Sequence, residues 1–250
     1  MGAWLRDTAG IYGRALRLGV RLLVGNVILV VPALALLIAP VVAGFVLAPL
    51  SVGSAGGLMR GMITVLIQSA CFSALLACTG EVIRTRRLVL ADVRAGFVAY
   101  LGDVINVRFV LWIITFVSAT FGGLASVLVL LATLTFFNAV PELIYLGRYG
   151  TADLLTASYR FIGERWVEWF PLNALLLWIL FVVMTAGSLA GAPAVALTGG
   201  GALGDGVALV LTLLATAVAL AFAMLVRGLL FLELTESSRR ARAFRQASGE

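Results

Sequence analysis

"FVLWIITFVSATFGGLASVLVLLATLTFFNAVP", residues 109–141, contains no charged side chain and is interrupted by the glycine pair Gly122–Gly123. A bilayer core needs roughly 20 apolar residues for each helix that crosses it. The stretch is therefore either one very long helix or two short helices that turn at the glycines. The choice decides how many times the chain crosses a membrane, and on which side every later segment lies.

The rest of the chain has a similar composition. Of 250 residues, 62% are hydrophobic and 12% are charged, whereas a soluble domain carries about a quarter charged residues. Three further windows contain no charge, at residues 26–59, 170–204 and 206–226. The alternation of polar and apolar residues that is typical of a membrane β-barrel does not occur. The sequence therefore predicts an all-α, polytopic membrane protein.

The distribution of arginine favours six spans over five. We place the spans at about 27–50, 59–80, two within 104–147, 170–190 and 207–233. Both termini and the connectors 81–108 and 148–169 then share one side, which holds every arginine except Arg60 and Arg227. Arg227 is close enough to that side to extend its side chain towards it. The positive-inside rule makes that side cytoplasmic, which predicts a multi-pass protein of the bacterial inner membrane with both termini in the cytoplasm.

A short phrase occurs three times along the chain. "EVIRTRRLVLAD", residues 81–92, and "ELIYLGRYGTAD", residues 142–153, share Glu, Ile, Arg, Ala and Asp at identical spacing. "ELTESSR", residues 233–239, repeats the first Glu and the Arg six residues after it. With six spans, each glutamate ends a span and each arginine follows it. The glutamates are Glu81, Glu142 and Glu233, and the arginines are Arg87, Arg148 and Arg239.

Each predicted pair of spans also follows an amphipathic stretch, which is typical of a helix lying at the membrane interface. The apolar stripes contain Trp4, Ile11, Ala15, Leu18 and Leu22; Val93, Phe97, Tyr100, Leu101 and Val104; and Leu155, Tyr159, Ile162, Trp166 and Trp169. We therefore predict one transmembrane domain, 1–237, built as three hairpins each preceded by an amphipathic helix. The candidate repeats are 1–87, 88–148 and 149–239. The basic tail, 238–250, is predicted to be disordered.

The three glutamates allow several interpretations. A carboxylate at a helix C-terminus opposes the helix dipole, at a cost of about 0.3–1 kcal/mol, so each should have a compensating partner. They could mark the water interface, pair with an arginine of the same phrase or of a neighbouring connector, or line a cytoplasmic mouth. In the last case the three carboxylates would form an acidic ring.

A few other polar residues lie near or within the spans. Arg60 is the basic residue on the outer side, where it could pair with Asp205, contact an anionic lipid or substrate, or anchor the helix. Gln68 and Asn138 are expected to hydrogen-bond between helices. The sequence contains no phosphate-binding loop, nucleophile elbow or metal-binding spacing. We expect no catalytic residues, no cofactor and no metal.

The phrase "TASYRFIGERWVEWF", residues 156–170, precedes a predicted hairpin. Together with the layout of six spans and amphipathic connectors, it resembles a group of bacterial six-helix membrane proteins. That group includes the membrane domain of glycerophosphodiester phosphodiesterases and related uncharacterised families. The resemblance implies a membrane architecture and supplies no catalytic residue.

The first functional hypothesis is a non-enzymatic scaffold, assembly factor or accessory subunit of a membrane complex. Its partners would be the lipid bilayer, anionic lipids, and a membrane protein or a second copy of the chain, with no nucleic acid. The alternative is a transporter or permease subunit with a mouth lined by Glu81, Glu142 and Glu233.

Cysteine labelling from the two sides of the membrane tests the six-span topology. Arg160→Cys and Arg242→Cys should react with reagents supplied on the cytoplasmic side, and Gly200→Cys with reagents supplied outside, because segments separated by an even number of spans share a side. Labelling of Arg160→Cys from outside would mean that residues 109–141 cross once, which would exclude both the six-span topology and the repeat.

Overall fold

The computed structural model describes the backbone of residues 2–51, 53–147, 150–197 and 202–248, and the side chains of 6–49, 55–147, 150, 153–185 and 206–236. The described residues are helical and contain no strand. They form nine α-helices: α1 (Gly2–Gly25), α2 (Val30–Val46), α3 (Gly53–Thr85), α4 (Leu90–Ala99), α5 (Leu101–Phe121), α6 (Gly123–Phe136), α7 (Val140–Leu146), α8 (Thr151–Leu197) and α9 (Ala202–Ser248). The predicted all-α class is confirmed.

Six stretches of the described residues are long and apolar enough to cross a membrane. They are Val27–Val46, Ala55–Thr85, Leu101–Phe121, Gly123–Leu146, Asp153–Thr185 and Gly206–Glu236. The count agrees with the six predicted spans, and the chain is a multi-pass membrane protein. The spans extend beyond several of the predicted bounds, because charged residues at their ends continue the same helices.

The glycine pair in the quoted stretch separates two helices, as the sequence predicts. Gly122 has φ 64° and Gly123 has φ 49°, a region that side chains with a Cβ rarely adopt. Gly122 ends α5 and Gly123 begins α6. Residues 109–136 are therefore parts of two helices joined by a tight turn.

The last two helices are longer than the sequence predicts. The stretch 190–206 was expected to be an outer loop, but α8 continues to Leu197 and α9 begins at Ala202. At its other end α9 continues to Ser248, through most of the tail that was expected to be disordered. Alanine, arginine and glutamine in "RRARAFRQAS" are strong helix formers, and no glycine occurs in that segment to end the helix.

A kink at Arg165, with φ −132° and ψ 15°, divides α8 into segments 151–164 and 166–197. The predicted apolar stripe of the first segment is only partly correct. Ile162 and Trp169 are buried, whereas Tyr159 and Trp166 are exposed. The predicted stripe assumes one continuous helix that turns about 100° per residue. Because α8 is kinked at Arg165, residues before and after the kink do not share one face, and Trp169 enters the protein core rather than the membrane interface.

The core lies where the C-terminal half of α3 meets α7, the beginning of α8 and the middle of α9. It includes the fully buried residues Leu75, Val82, Ile162, Trp169, Leu225 and Leu230. Helix α1 packs along α9 through Ala15 and Leu22, and its four described arginines are exposed. Tyr12 of α1 donates a 2.6 Å hydrogen bond to the carbonyl of Glu168. Burial, and then the charge of Glu168, raises the pKa of Tyr12.

Small residues allow the core helices to approach closely. A Cβ on Gly228 of α9 would lie 2.5 Å from both Ile83 Cδ1 and Tyr145 Oη. A Cβ on Gly80 of α3 would lie 3.2 Å from the Cβ of Tyr145 on α7. Tyr145 is thus held between two glycines, and α3, α7 and α9 meet around its ring. Such packing of small residues is typical of helices in membranes, where association depends on close contact.

Gly228→Ala should lower the melting temperature in detergent, because the added methyl group overpacks the contact with Tyr145 and Ile83 at a cost of about 1–3 kcal/mol. Gly163→Ala is the matched control, since no atom lies within 4 Å of its Cβ position and alanine is the better helix former. Thermal unfolding followed by circular dichroism measures both. Equal melting temperatures for the two variants would contradict the packing at Gly228.

Candidate functional site

Glu142 and Arg227 form the most deeply buried ion pair among the described side chains. Arg227 Nε lies 2.6 Å from Glu142 Oε1, and Arg227 Nη2 lies 3.0 Å from Oε2, so the guanidinium donates to both carboxylate oxygens. The exposed fraction is 0% for the Glu142 side chain and 14% for that of Arg227. The pair connects α7 to α9 with both charges withdrawn from water.

Two further residues complete the surroundings of this pair. Arg227 Nη2 also donates to the carbonyl oxygen of Asn138 at 2.6 Å. The ring of Trp169 lies 5.4 Å from Arg227 Cζ, within the range of a cation–π contact. Trp169 Nε1 in turn donates to Asn138 Oδ1 at 2.8 Å. We refer to Asn138, Glu142, Trp169 and Arg227 as the ion-pair cluster.

A break in the chain between α6 and α7 places Glu142 in this cluster. Helix α6 ends at Phe136, and α7 begins at Val140 with Pro141 in its first turn. Proline has no N–H to continue α6 but suits the start of a new helix. Glu142 was expected at a helix C-terminus, and that expectation is wrong. It lies in the first turn of α7, where the helix dipole favours a carboxylate.

The other two glutamates pair differently. Glu81 Oε2 lies 3.7 Å from Arg84 Nη2, one turn further along α3. Glu233 accepts hydrogen bonds of 3.0 and 2.8 Å from Arg14 of α1. Both carboxylates remain about one-third exposed, at 34% and 32%. These are surface ion pairs, one local and one between distant helices.

None of these partners is the arginine that follows the glutamate in the repeated phrase. The Arg87 side chain is exposed, and its backbone N–H donates to Thr85 Oγ1 at 3.3 Å. Arg148 lies outside the described residues, and the side chain of Arg239 is also outside them. Arg227, which was expected to extend towards water, instead turns inward because Glu142 lies within reach.

The three glutamates therefore occupy unlike environments. Glu142 is sealed by a bidentate guanidinium and has no exposed surface, so it does not line an open mouth. Glu81 and Glu233 lie near the surface on different helices and pair with their own arginines. Two of these pairs, Glu142–Arg227 and Glu233–Arg14, join different helices, and the pair of Glu81 with Arg84 lies within α3.

Arg60 lies on α3 and is partly buried. Its Nη2 donates to the carbonyl oxygen of Gly44 at 3.1 Å, which ties α3 to α2. The side chain of Asp205, the partner considered from the sequence, lies outside the described residues. Arg60 thus has an established contact with a neighbouring helix.

The two polar residues expected to bond between helices do so. Asn138 belongs to the ion-pair cluster, and Gln68 Oε1 accepts a 3.2 Å hydrogen bond from Arg108 Nη1. Arg108 was placed in a cytoplasmic connector from the sequence, but it lies within α5. Arg108 directly precedes the uncharged stretch 109–141, so the sequence alone is compatible with either the end of a connector or the first turns of a span.

Comparison with protein-family models, with curated proteins and with solved structures found no match. Within the residues that the structure describes, no group of three or more His, Cys, Asp or Glu side chains is placed to hold a metal ion.

Glu142→Gln should destabilise the protein strongly, because it leaves Arg227 buried without its counter-charge. Breaking one side of a buried pair costs about 3–5 kcal/mol. Glu233→Gln should cause a smaller decrease in melting temperature and Glu81→Gln the smallest, since their pairs are exposed to water. Thermal melts of the three variants in one detergent test this order.

The double variant Glu142→Gln/Arg227→Gln separates a specific pair from a general effect of burial. It should recover part of the stability lost by Glu142→Gln, because no unpaired charge remains. Three single variants with equal melting temperatures, or a double variant that loses the sum of both single effects, would contradict the assignment.

Proposed function

We propose that this protein is a non-enzymatic scaffold, assembly or accessory subunit of a complex in the bacterial inner membrane. In this proposal both termini face the cytoplasm. Three hairpins, each preceded by an amphipathic interfacial helix, make up the membrane domain. Its partner is another membrane protein or a second copy of the chain.

The observation that carries the proposal is the small share of the middle helix pair, α5 and α6, that is buried within the chain. In the hydrophobic window of Leu101–Phe121, 17% of the residues are buried, and in that of Gly123–Leu146, 11%. The corresponding share is 39% for both Ala55–Thr85 and Gly206–Glu236. Helices in a bilayer associate through close packing rather than hydrophobicity, so this pair offers the most surface that is not already packed.

One face of α5 carries a row of stacked aromatic rings. Phe109, Trp112 and Phe116 are 58%, 60% and 63% exposed. The ring centroids lie 6.0 Å apart for the first pair and 5.6 Å for the second. Aromatic side chains bring large contact areas and are enriched at protein interfaces. This aromatic row supports a docking surface for a partner helix.

The location and topology rest on charge. Arginine-rich segments adjoin the spans at Val27, Thr85 and Glu236, and the positive-inside rule assigns these segments to the cytoplasm. The order of elements supports the repeat, because α1 precedes α2 and α3, α4 precedes α5 and α6, and the segment 151–164 precedes the rest of α8 and α9. The resemblance to bacterial six-helix membrane families supports the same architecture.

A transporter remains the alternative hypothesis, and its support is weaker. It relied on Glu81, Glu142 and Glu233 as an acidic mouth. The buried pair with Arg227 removes Glu142 from water. Glu81 and Glu233 each form a separate ion pair at the surface. In a scaffold, Glu142 and Glu233 link helices to one another, while Glu81 pairs within α3.

Site-specific photo-cross-linking in native membranes tests the docking surface. A benzoylphenylalanine in place of Trp112 should form adducts with one defined partner protein or with a second copy of the chain. The same group in place of Trp178, which is 62% exposed on α8, is the matched control and should form none with that partner.

Phe109→Ala/Trp112→Ala/Phe116→Ala should abolish the adduct and the co-purification of the partner in mild detergent, while the protein keeps its melting temperature. Identical adducts from the Trp112 and Trp178 positions would contradict the aromatic row as an interface. A chain that purifies alone as a monomer, and that conducts solute flux in liposomes, would favour the transporter.

A further inference from the structure

A cavity of about 380 Å³ lies between α2, α3, α5 and the junction of α6 with α7. Its lining is apolar apart from Arg108, and it includes Leu36, Phe72, Leu111, Phe137 and Ile144. The volume is within the range of small-molecule sites in proteins, about 300–1,000 Å³. The cavity thus combines one cation with an apolar wall inside a membrane-spanning region.

The hydrogen-bond partners of Arg108 in the described part of the chain are neutral. Nη1 donates to Gln68 Oε1 at 3.2 Å and makes a longer contact of 3.5 Å with Ser69 Oγ. Arg227, which also lies within a described span, faces a carboxylate at 2.6 Å. A cation at membrane depth is costly unless an anion compensates it. The charge of Arg108 therefore calls for an anion from outside the described side chains.

The position of Arg108 along α5 suits a lipid headgroup. It lies seven residues after Leu101, the first residue of α5, which corresponds to about 10 Å along the helix axis at 1.5 Å per residue. A long arginine side chain can extend its guanidinium from such a depth towards the headgroup region. Leu36, Phe72 and Leu111 of the same cavity lie nine or more residues from the ends of their spans on that side, which is the depth of the acyl chains.

We propose that this cavity binds one anionic phospholipid from the leaflet at the N-terminus of α5. The phosphate oxygens accept hydrogen bonds from the Arg108 guanidinium, whose planar fork suits two oxygens at once. An acyl chain lies against Phe72, Leu111 and Ile144. Gln68 and Ser69 hold the guanidinium at the mouth of the cavity. The site does not depend on the middle helix pair binding a partner.

Retention of phosphatidylglycerol by the purified full-length protein tests the site. After delipidation in detergent and titration with this lipid, wild-type protein should keep about one molecule per chain and gain melting temperature saturably. Arg108→Gln should weaken retention about tenfold or more, the change expected when one charge-assisted hydrogen-bonded contact is lost. Phosphatidylcholine should bind wild type less well, because the positive charge of its choline group offsets the charge of its phosphate.

Two matched variants make the result specific. Arg94→Gln removes an exposed arginine of α4 and should leave retention unchanged. Leu36→Trp fills the apolar part of the cavity while keeping Arg108, and should also reduce retention. Circular dichroism and gel filtration confirm that each variant is folded.

Equal retention by wild type and Arg108→Gln would overturn the proposal. Full retention by Leu36→Trp would also overturn it, because the chain would then lie elsewhere. If inorganic phosphate at equal concentration displaced the lipid and gave the same increase in melting temperature, the site would recognise a free anion rather than a lipid.

Discussion

The bidentate contact between Glu142 and Arg227 is the constraint on which the packed part of this protein depends. A guanidinium buried in an apolar span needs a compensating charge or polar group beside it, since desolvating a lone guanidinium costs several kcal/mol. The distances of 2.6 and 3.0 Å set the position of α9 against α7 within a fraction of a helical turn. Through Trp169 and Asn138 the same cluster also sets the position of α8 against the α6–α7 junction. The close approach of Gly228 to Tyr145 follows, because it lies one residue beyond Arg227 on the helix that the pair has already placed.

This constraint acts at one end of the molecule. Buried side chains concentrate around the ion-pair cluster, whereas the residues near the Gly122–Gly123 turn are exposed. Packing in a membrane requires small residues or polar links between helices. The C-terminal half of α3 and the middle of α9 carry Gly80, Gly228 and several alanines, and α6 presents branched side chains such as Val127 and Leu131. The unequal packing is thus encoded in the distribution of small residues, and it leaves the middle helix pair as the surface available to lipid or to a partner.

The spans could be predicted from local composition. Contacts between residues that lie far apart in the chain could not. Uncharged windows of sufficient length follow from composition alone, and the Gly122–Gly123 turn follows from a conformation that glycine alone adopts easily. Glu142 and Arg227 are far apart in the chain, and the sequence offers other arginines at similar depth, so their pairing required the fold. The repeated phrase suggested equivalent roles for three glutamates, but the α6–α7 break at Pro141 places one of them in a helix start. The sequence signal for that break is Pro141, directly before the glutamate.

Arg108 and Arg227 both lie within spans, and each obtains partners for its charge in a different way. Arg227 is neutralised by the carboxylate of Glu142. Its guanidinium also contacts the ring of Trp169 and the carbonyl of Asn138, so groups of the same chain already occupy the positions that a ligand would take. Arg108 has an amide and a hydroxyl as neighbours, and a cavity opens beside it. A buried charge whose partners all belong to the same chain stabilises the fold. Removing one of these partners leaves the charge buried and unpaired, at the full cost of its desolvation. A charge that is satisfied by neutral groups keeps part of its attraction for an anion. The difference between Glu142 and Gln68 as partners therefore separates a structural arginine from one that is available to bind a ligand.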